Sequence, residues 1–489
     1  MSDKSIKGLT TAVALIPLYM LIIGIVSILV VAGPGNIQQL SQPLLIMCGM
    51  IALIIARLYR RPLRRTLQIS ANKSLTQALP VLAILLLIGT VSATWMFSGV
   101  VPSLICYGME ILNQKMFLAT ACAVCAVVSV MSGSSWTTIA TIGVAFMGMG
   151  TMWGYSPGWI AGAIISGAYF GDKISPLSDT TVLASSTCGV SLMEHIRYMM
   201  WTTIPAMLIA LFVYMVVGMI VVPSPDVQNS DILSALHATF NISPLCLLIP
   251  IATLGVLLLR VGTIKTLIIS TIMGVIGIFV LQPQVLSVIE QTPFSNASPW
   301  LHISAISGIL ISETSLNFSE PILDSLVSTG GMAGMMPTIT LVLSALFFGT
   351  SMMASGLLSK ITHSITSRLS KNGEIISSTA ATGLLLNSFT GDQYLSIILC
   401  GHLYRNLYRR RFLEPKLLSR TIEDSTSVTS VLIPWNSCGL TQSAVLGVAT
   451  LSYLPFCIFN LASPFMTLLF GLTGYRIRHY QPAYKTSGK

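Results

Sequence analysis

Apolar runs of about 20 residues recur along the whole chain, and they restrict its fold more than any other feature. A run of this length crosses the ~30 Å hydrocarbon core of a bilayer as one α-helix. Of the 489 residues, 53% are hydrophobic and only 9% are charged, whereas about 25% of a soluble domain is charged. The ~10-residue alternating segments of membrane β-barrels are absent. The sequence therefore predicts an all-α, polytopic integral membrane protein of about 11–13 helices.

Basic residues lie mainly in the polar segments between the apolar runs, which explains the net charge of +10 without a nucleic-acid partner. Cytoplasmic loops of membrane proteins carry an excess of Lys and Arg. Residues 57–65 contain five arginines, so we expect this loop and the N-terminus on the cytoplasmic side. The basic segments 402–420 and 476–489 are expected on the same side. These patterns predict the lipid bilayer as a partner and leave the oligomeric state open.

A polar stretch at residues 171–181 interrupts the apolar sequence. Charged groups at membrane depth are costly, so they usually mark an ion path or a substrate site. A proline among small hydroxyl residues predicts a broken helix whose backbone faces a buried cavity. The residues singled out here are Asp172, Lys173, Pro176, Ser178, Asp179, Thr180 and Thr181. We expect Lys173 to pair with Asp172 or Asp179; a structural Asp172–Lys173 ion pair at a helix end is the alternative.

Two later segments repeat this combination of acids, hydroxyls and helix breakers. Five of the sixteen acidic residues fall in the three segments together. The later segments contribute Asp392, Glu423, Asp424, Ser425, Pro434 and Asn436. As alternatives, Asp392 caps a helix that begins at Gln393, and the acids at 423–424 lie outside the membrane and cap a helix that begins near Ser425.

Three matches between the two halves of the chain predict an internal duplication. Residues 98–102 resemble 355–359, residues 133–143 resemble 391–401, and residues 186–190 resemble 436–440. Duplicated halves that meet at a midplane site are a recurrent transporter plan. We therefore predict an N-terminal membrane repeat (1–222), a linker loop (223–244), a C-terminal membrane repeat (245–475) and a cytoplasmic tail (476–489).

A further break is predicted at the small residues 132–135. Ser134, Ser135 and Thr137 fit the tip of a re-entrant hairpin or an unwound helix. Small residues also allow close packing of membrane helices, and that alternative stays open.

The oxygen-rich segments predict a site where a cation and a proton compete. Sodium is a hard cation that prefers oxygen ligands, and burial favours the protonated form of a carboxyl group. One buried aspartate that binds either ion, never both, is enough to exchange them. Asp179 and Asp424 are the candidate Na⁺ ligands, with Asp172, Glu423 and Asp392 as further carboxylates. Neutral oxygens are expected from Ser178, Thr180, Thr181 and Ser425.

These segments resemble the NhaC-type sodium/proton antiporter family. The motifs are Gly171-Asp172-Lys173-x-Ser175-Pro176-x-Ser178-Asp179-Thr180-Thr181, Asp392-Gln393-Tyr394, Leu418-Ser419-Arg420-x-x-Glu423-Asp424 and Pro434-Trp435-Asn436-x-Cys438-Gly439. The resemblance implies a multi-pass secondary antiporter of the bacterial inner membrane, of the ion-transporter superfamily. In that architecture two repeats, expected to be inverted, each supply a hairpin and a broken helix to a central site. It implies Na⁺ and H⁺ as the transported ions and no cofactor.

Several functions remain open on the sequence alone. The first hypothesis is Na⁺/H⁺ exchange by alternating access, which is transport and not an enzymatic reaction. The alternative is a Na⁺- or H⁺-coupled antiporter of organic acids, as in family members resembling the malate/lactate antiporter, or of amino acids. Lys173 is the one base in these motifs clearly at membrane depth, which favours plain cation exchange. A channel is a further candidate. An intramembrane aspartyl protease is disfavoured because Tyr169 replaces the first glycine of the Gly-x-Gly-Asp signature.

Overall fold

A computed structural model describes residues 9–32, 37–60, 62–221, 228–259, 261–316, 327–366 and 371–477. Within these ranges the chain is built from helices, and the only β-type pairing is an isolated bridge between Thr314 and Thr329. The predicted all-α membrane fold is thereby confirmed. Of the predicted linker and tail, residues 223–227 and 478–489 lie outside the described residues.

The first part of the chain, up to residue 220, forms ten helices in its described ranges. They are α1 Thr11–Ala32, α2 Ile37–Leu58, α3 Leu63–Phe97, α4 Val100–Ile111, α5 Phe117–Ser132, α6 Ser135–Thr138, α7 Val144–Met152, α8 Pro157–Ile174, α9 Asp179–Cys188 and α10 Leu192–Ile220. A π-helical turn, Ile139–Gly143, joins α6 to α7. The middle of the chain contributes α11 Gln228–Thr239, α12 Leu248–Leu258, α13 Thr263–Leu281, α14 Pro283–Glu290 and α15 Pro299–Ile311.

The last part contains eight further helices in its described ranges. They are α16 Met336–Ser355, α17 Leu357–Thr366, α18 Asn372–Thr390, α19 Gln393–Arg410, α20 Pro415–Ile422, α21 Ser437–Leu446, α22 Thr450–Tyr453 and α23 Ile458–Thr473. A second π-helical turn, Glu423–Ser427, continues α20.

Six helices in the described residues are long and apolar enough to cross a membrane alone, or up to eight spans if each of two bent helix pairs is one span. The bent pairs change direction by 64° and 58°. The other helices are shorter because glycines, prolines and polar caps interrupt them. The protein is therefore multi-pass, with several helices that end inside the molecule.

The region predicted as a linker loop is partly helical. Helix α11 occupies residues 228–239, where the sequence predicted a loop. Leu236 of α11 and Phe240, which directly follows the helix, lie four residues apart, and both are buried in the hydrophobic core. Burial of these side chains stabilises a helix that the polar composition of the segment did not predict.

Helix ends recur at a constant spacing in the two halves. Gly133 and Gly391 end α5 and α18, and Gly189 and Gly447 end α9 and α21, all with positive φ. The members of each pair are 258 positions apart (133 to 391, 189 to 447). The sequence had matched Gly189 with Gly439, but Gly439 lies inside α21. The recurrence agrees with the predicted duplication; the duplication, its inverted orientation and the domain boundaries stay predictions.

Helices α5 and α8 pack against each other with almost no space between their backbones. A Cβ added at Gly167 of α8 would lie 2.0 Å from the carbonyl oxygen of Cys122 on α5. At Gly171 an added Cβ would lie 2.4 Å from the carbonyl oxygen of Ala126. Small residues are what allow membrane helices to approach this closely. The contact also positions the end of α8, where the polar stretch 171–181 begins.

We expect the substitution Gly167→Ala to destabilise the protein by about 1–3 kcal/mol, because the new methyl group meets backbone that cannot move aside. The matched control is Gly308→Ala in α15, where an added Cβ has no atom within 4 Å. The control should be neutral or slightly stabilising, since alanine favours a helix more than glycine does. Thermal unfolding in detergent measures both variants. Equal melting temperatures for the two variants would contradict the close packing of α5 and α8.

Candidate functional site

Four breaks between helices in the described residues leave helix N-termini inside the protein. The capping residues at these breaks are Ser134, Ser178, Asp392 and Asn436. Three of the breaks border a cavity of about 410 Å³, which α3 closes on one side. Its polar lining consists of Ser134, Asp172, Asp179, Thr180, Thr263, Gln393 and Tyr394. The cavity thus brings together both acids of the 171–181 stretch and three polar residues from the second half of the chain.

Asp172 lies near the end of α8 and faces the N-terminus of α6. Its Oδ2 accepts hydrogen bonds from the hydroxyl of Ser135 at 2.6 Å and from the backbone N–H of Ser135 at 3.3 Å. Ser134 caps the same helix, and its hydroxyl accepts from the backbone N–H of Thr137 at 3.2 Å. A helix N-terminus carries partial positive charge and stabilises an anion. The break at residues 132–135 therefore holds the Asp172 carboxylate in one position.

Asp179 is the first residue of α9, and its side chain is exposed to the cavity. Ser178 caps this helix by accepting from the backbone N–H of Thr181. The hydroxyl of Thr181 in turn donates to the carbonyl oxygen of Lys173 at 3.0 Å. Ser178 and Thr181 thus satisfy backbone groups at the break, whereas Thr180 lines the cavity beside Asp179. Pro176 lies in the bend between the two helices.

Lys173 pairs with Asp424, which corrects the expectation that it pairs with Asp172 or Asp179. Its Nζ donates to Oδ1 of Asp424 in a short contact and to the hydroxyl of Ser463 at 2.8 Å. Consecutive residues on a helix point about 100° apart. The side chain of Lys173 therefore points away from the cavity that Asp172 faces, and the structural Asp172–Lys173 pair does not form.

Glu423 and Asp424 lie in the second π-helical turn and are fully buried. Because the π-helical turn continues α20, these acids do not cap a helix that begins near Ser425. Asp424 accepts a short hydrogen bond from Thr467 as well as from Lys173. Glu423 has no hydrogen-bond partner among the described residues. Neither acid belongs to the described lining of the cavity.

Asp392 and Asn436 act as helix caps. Oδ1 of Asp392 accepts from the backbone N–H of Leu395 at 2.8 Å, at the start of α19. Oδ1 of Asn436 accepts from the backbone N–H of Cys438 at 3.1 Å, after the bend that contains Pro434. The sequence analysis gave a cap at Asp392, for a helix that begins at Gln393, as the alternative to a role in ion binding, and this capping bond is present. Ser425 donates to the carbonyl oxygen of Thr421 at 2.6 Å, inside its own helix.

The sequence did not identify Arg420 as part of the buried charge network. It was assigned to a cytoplasmic basic segment, yet its side chain is fully buried. The guanidinium lies 4.8 Å from the ring centre of Tyr198, and its Nε is 3.9 Å from Oδ2 of Asp424. The spacing of four residues between Arg420 and Asp424 places both on one helix face, which was the available signal.

Trp136 and Gln393 were also missed as cavity residues. Trp136 is the second residue after the capping residue Ser134, and Gln393 directly follows the capping residue Asp392. The predicted helix breaks were therefore the signal for both. Among the described residues, no group of three or more His, Cys, Asp or Glu side chains could hold a tightly bound metal ion.

Comparison with known proteins agrees with the fold and the motifs. The model of the Na⁺/H⁺ antiporter family matches residues 2–198 and 167–475. The Na⁺/H⁺ antiporter NhaC of Alkalihalophilus pseudofirmus is 34% identical over 93% of this chain and 95% of its own length. NhaC of Bacillus subtilis is 32% identical over 79% of this chain and 83% of its own.

A relative with a different cargo in its name is also similar over most of its length. The malate-2H⁺/Na⁺-lactate antiporter of Bacillus subtilis is 31% identical over 84% of both chains. The match to the family model runs from residue 2 to residue 475 and includes the three acidic segments. On this similarity, and with an all-helical membrane fold, the chain belongs to the Na⁺/H⁺ antiporter family.

Proposed function

We propose that this protein is a secondary antiporter that exchanges Na⁺ for H⁺ by alternating access, in the inner membrane of a bacterium. The observation that carries the proposal is the pair of carboxylates, Asp172 and Asp179, in one cavity at the breaks between helices. No basic side chain belongs to the described lining, so the cavity favours cations. The NhaC relatives support sodium as the cation.

Asp179 is the carboxylate that we assign to the exchange. In the described part of the chain no hydrogen bond or ion pair engages its side chain, which faces the cavity. The carboxylate binds Na⁺ or a proton, and binding of one ion releases the other, so the charge at the site is conserved. Thr180 and Ser134 line the same cavity and offer neutral oxygens for sodium.

Asp172 has a second role in this proposal. The hydrogen bonds from Ser135 hold its Oδ2, so the carboxylate provides a fixed negative charge opposite Asp179. A fixed charge raises the local concentration of cations in a cavity with low-dielectric walls. It also keeps the site attractive to Na⁺ when Asp179 carries the proton.

Asp424 was predicted as a second Na⁺ ligand, and we now assign it a different role. Its carboxylate is already occupied by Lys173 and Thr467. A buried ion pair is expensive to separate, because each charge would be left without a partner. We infer that α8 and the π-helical turn 423–427 move together during alternating access.

Exchange of an organic acid is the second candidate, and its support is the malate/lactate relative. A carboxylate substrate needs cationic partners, preferably arginine. Lys173 and Arg420 are buried against Asp424 and do not line the cavity. The charge of the cavity therefore favours cation exchange over exchange of an organic acid.

We expect Asp179→Asn to abolish Na⁺-dependent proton movement. At neutral pH a carboxylate can bind either a proton or sodium, whereas the neutral amide cannot take its place for either ion. The measurement is the pH gradient in everted membrane vesicles after addition of NaCl, with protein levels checked by immunoblot. Glu110→Gln is the matched control, since Glu110 is an exposed acid at the end of α4, outside the cavity. Full exchange in the Asp179→Asn variant would remove the centre of this proposal.

We expect Lys173→Met to reduce the free energy of unfolding by about 3–5 kcal/mol, because Asp424 is left charged and buried without its partner. The double variant Lys173→Met/Asp424→Leu should recover part of this loss, since it removes both charges of the pair. The recovery stays incomplete because the buried Arg420 then loses its contact with Asp424. Unfolding of the single and double variants in detergent gives the coupling energy by a double-mutant cycle. Lys265→Met, at an exposed position of α13, is the control. Additive losses without recovery in the double variant would argue against the ion pair.

A further inference from the structure

The cavity is much larger than a sodium ion requires. Its volume is about 410 Å³, whereas a water molecule takes about 30 Å³ in the liquid. Cavities of about 300–1,000 Å³ are typical of sites that bind small organic molecules. Either the cavity is a water-filled approach to the carboxylates, or it receives an organic ligand.

The walls of the cavity distinguish these two possibilities. Beside its polar residues the lining includes apolar and aromatic side chains, namely Pro80, Ile84, Trp136, Leu183, Tyr394 and Ile398. A hydrated sodium ion gains nothing from aliphatic walls, whereas a ligand with an alkyl chain is stabilised by burying its methylene groups there. Aromatic rings additionally attract organic cations through their negative faces.

The charge of the lining determines whether a bound ligand is a cation or an anion. Asp172 and Asp179 are the ionisable acids of the described lining, and no Lys, Arg or His accompanies them. Organic anions are repelled by two carboxylates. An ammonium group, in contrast, satisfies carboxylate oxygens with charge-assisted hydrogen bonds.

We propose that the cavity also binds small alkylammonium ions, in competition with Na⁺. The ammonium group lies between Asp172 and Asp179, and the alkyl chain extends along the wall formed by Trp136, Leu183 and Ile398. This inference rests on the proposed cation site and adds a class of ligand to it. It predicts that a four-carbon amine binds while the carboxylate of the same length does not.

Thermal unfolding of the full-length protein in detergent tests binding without requiring transport. Butylammonium chloride should raise the melting temperature in a concentration-dependent way, because a ligand of the folded state stabilises it. Added NaCl should reduce this shift by competition. Potassium butyrate should give the same melting temperature as KCl at equal ionic strength, which is the salt control. Asp179→Asn should lose the shift, and Glu110→Gln should retain it.

The variant Trp136→Leu tests the aromatic wall. We expect the ratio of butylammonium affinity to Na⁺ affinity to fall about tenfold, because the cation–π contact is lost while the carboxylates remain. Trp201→Leu is the matched control, since Trp201 is exposed on α10 against Arg476. Its ratio should equal that of the unmodified protein.

Some outcomes would overturn the inference. These are a butylammonium shift no larger than that with KCl, a shift that survives Asp179→Asn, or an equal shift with potassium butyrate. The vesicle assay separates the two proposals. Sodium-driven proton movement without butylammonium binding rejects only the alkylammonium site. Butylammonium binding that Asp179→Asn removes, without any sodium-driven proton movement, rejects only the exchange.

Discussion

The ion pair between Lys173 and Asp424 is the interaction on which the arrangement of the site depends. It joins α8 to a segment 251 residues later in the chain, and Ser463 and Thr467 of α23 complete its hydrogen bonds. A charge at membrane depth must be paired or neutralised. Because the charge of Lys173 is used by Asp424, it is not available to Asp172 and Asp179. The cavity is therefore negatively charged because Lys173 pairs with Asp424 outside it.

The breaks in the helices are stable in a hydrophobic protein because their backbone groups are satisfied. Ser134, Ser178, Asp392 and Asn436 each accept a hydrogen bond from the first turn of the helix that follows. Irregular backbone at membrane depth is tolerated where protein buries it or where it lines a cavity. The same capping bonds orient α6 toward Asp172 and place Asp179 at the start of α9. Local backbone chemistry thus determines where the acids face.

Much of this architecture could be predicted from the sequence, because charges and prolines stand out in apolar runs. The membrane fold, the breaks and the acids Asp172 and Asp179 belong to that group. The partner of Lys173 could not be predicted, since it depends on how distant helices pack. The burial of Arg420 against Asp424 could not be predicted, because a basic residue near a loop has the same local pattern whether it faces solvent or a buried carboxylate. The helix at 228–239 was missed because the segment is polar, and only its packing reveals the buried face.

The constant spacing of helix ends has a consequence for how the protein tolerates damage. At positions 258 residues after Asp172 and Asp179 stand Ser430 and Ser437, which are uncharged. The backbone breaks occur in both halves, but the cavity acids occur in only one. The protein therefore has similar breaks in both halves and a single copy of its cavity acids. The loss of one of these acids has no counterpart in the other half, and a substitution at Ser134 or Ser178 disturbs a break that positions one of them.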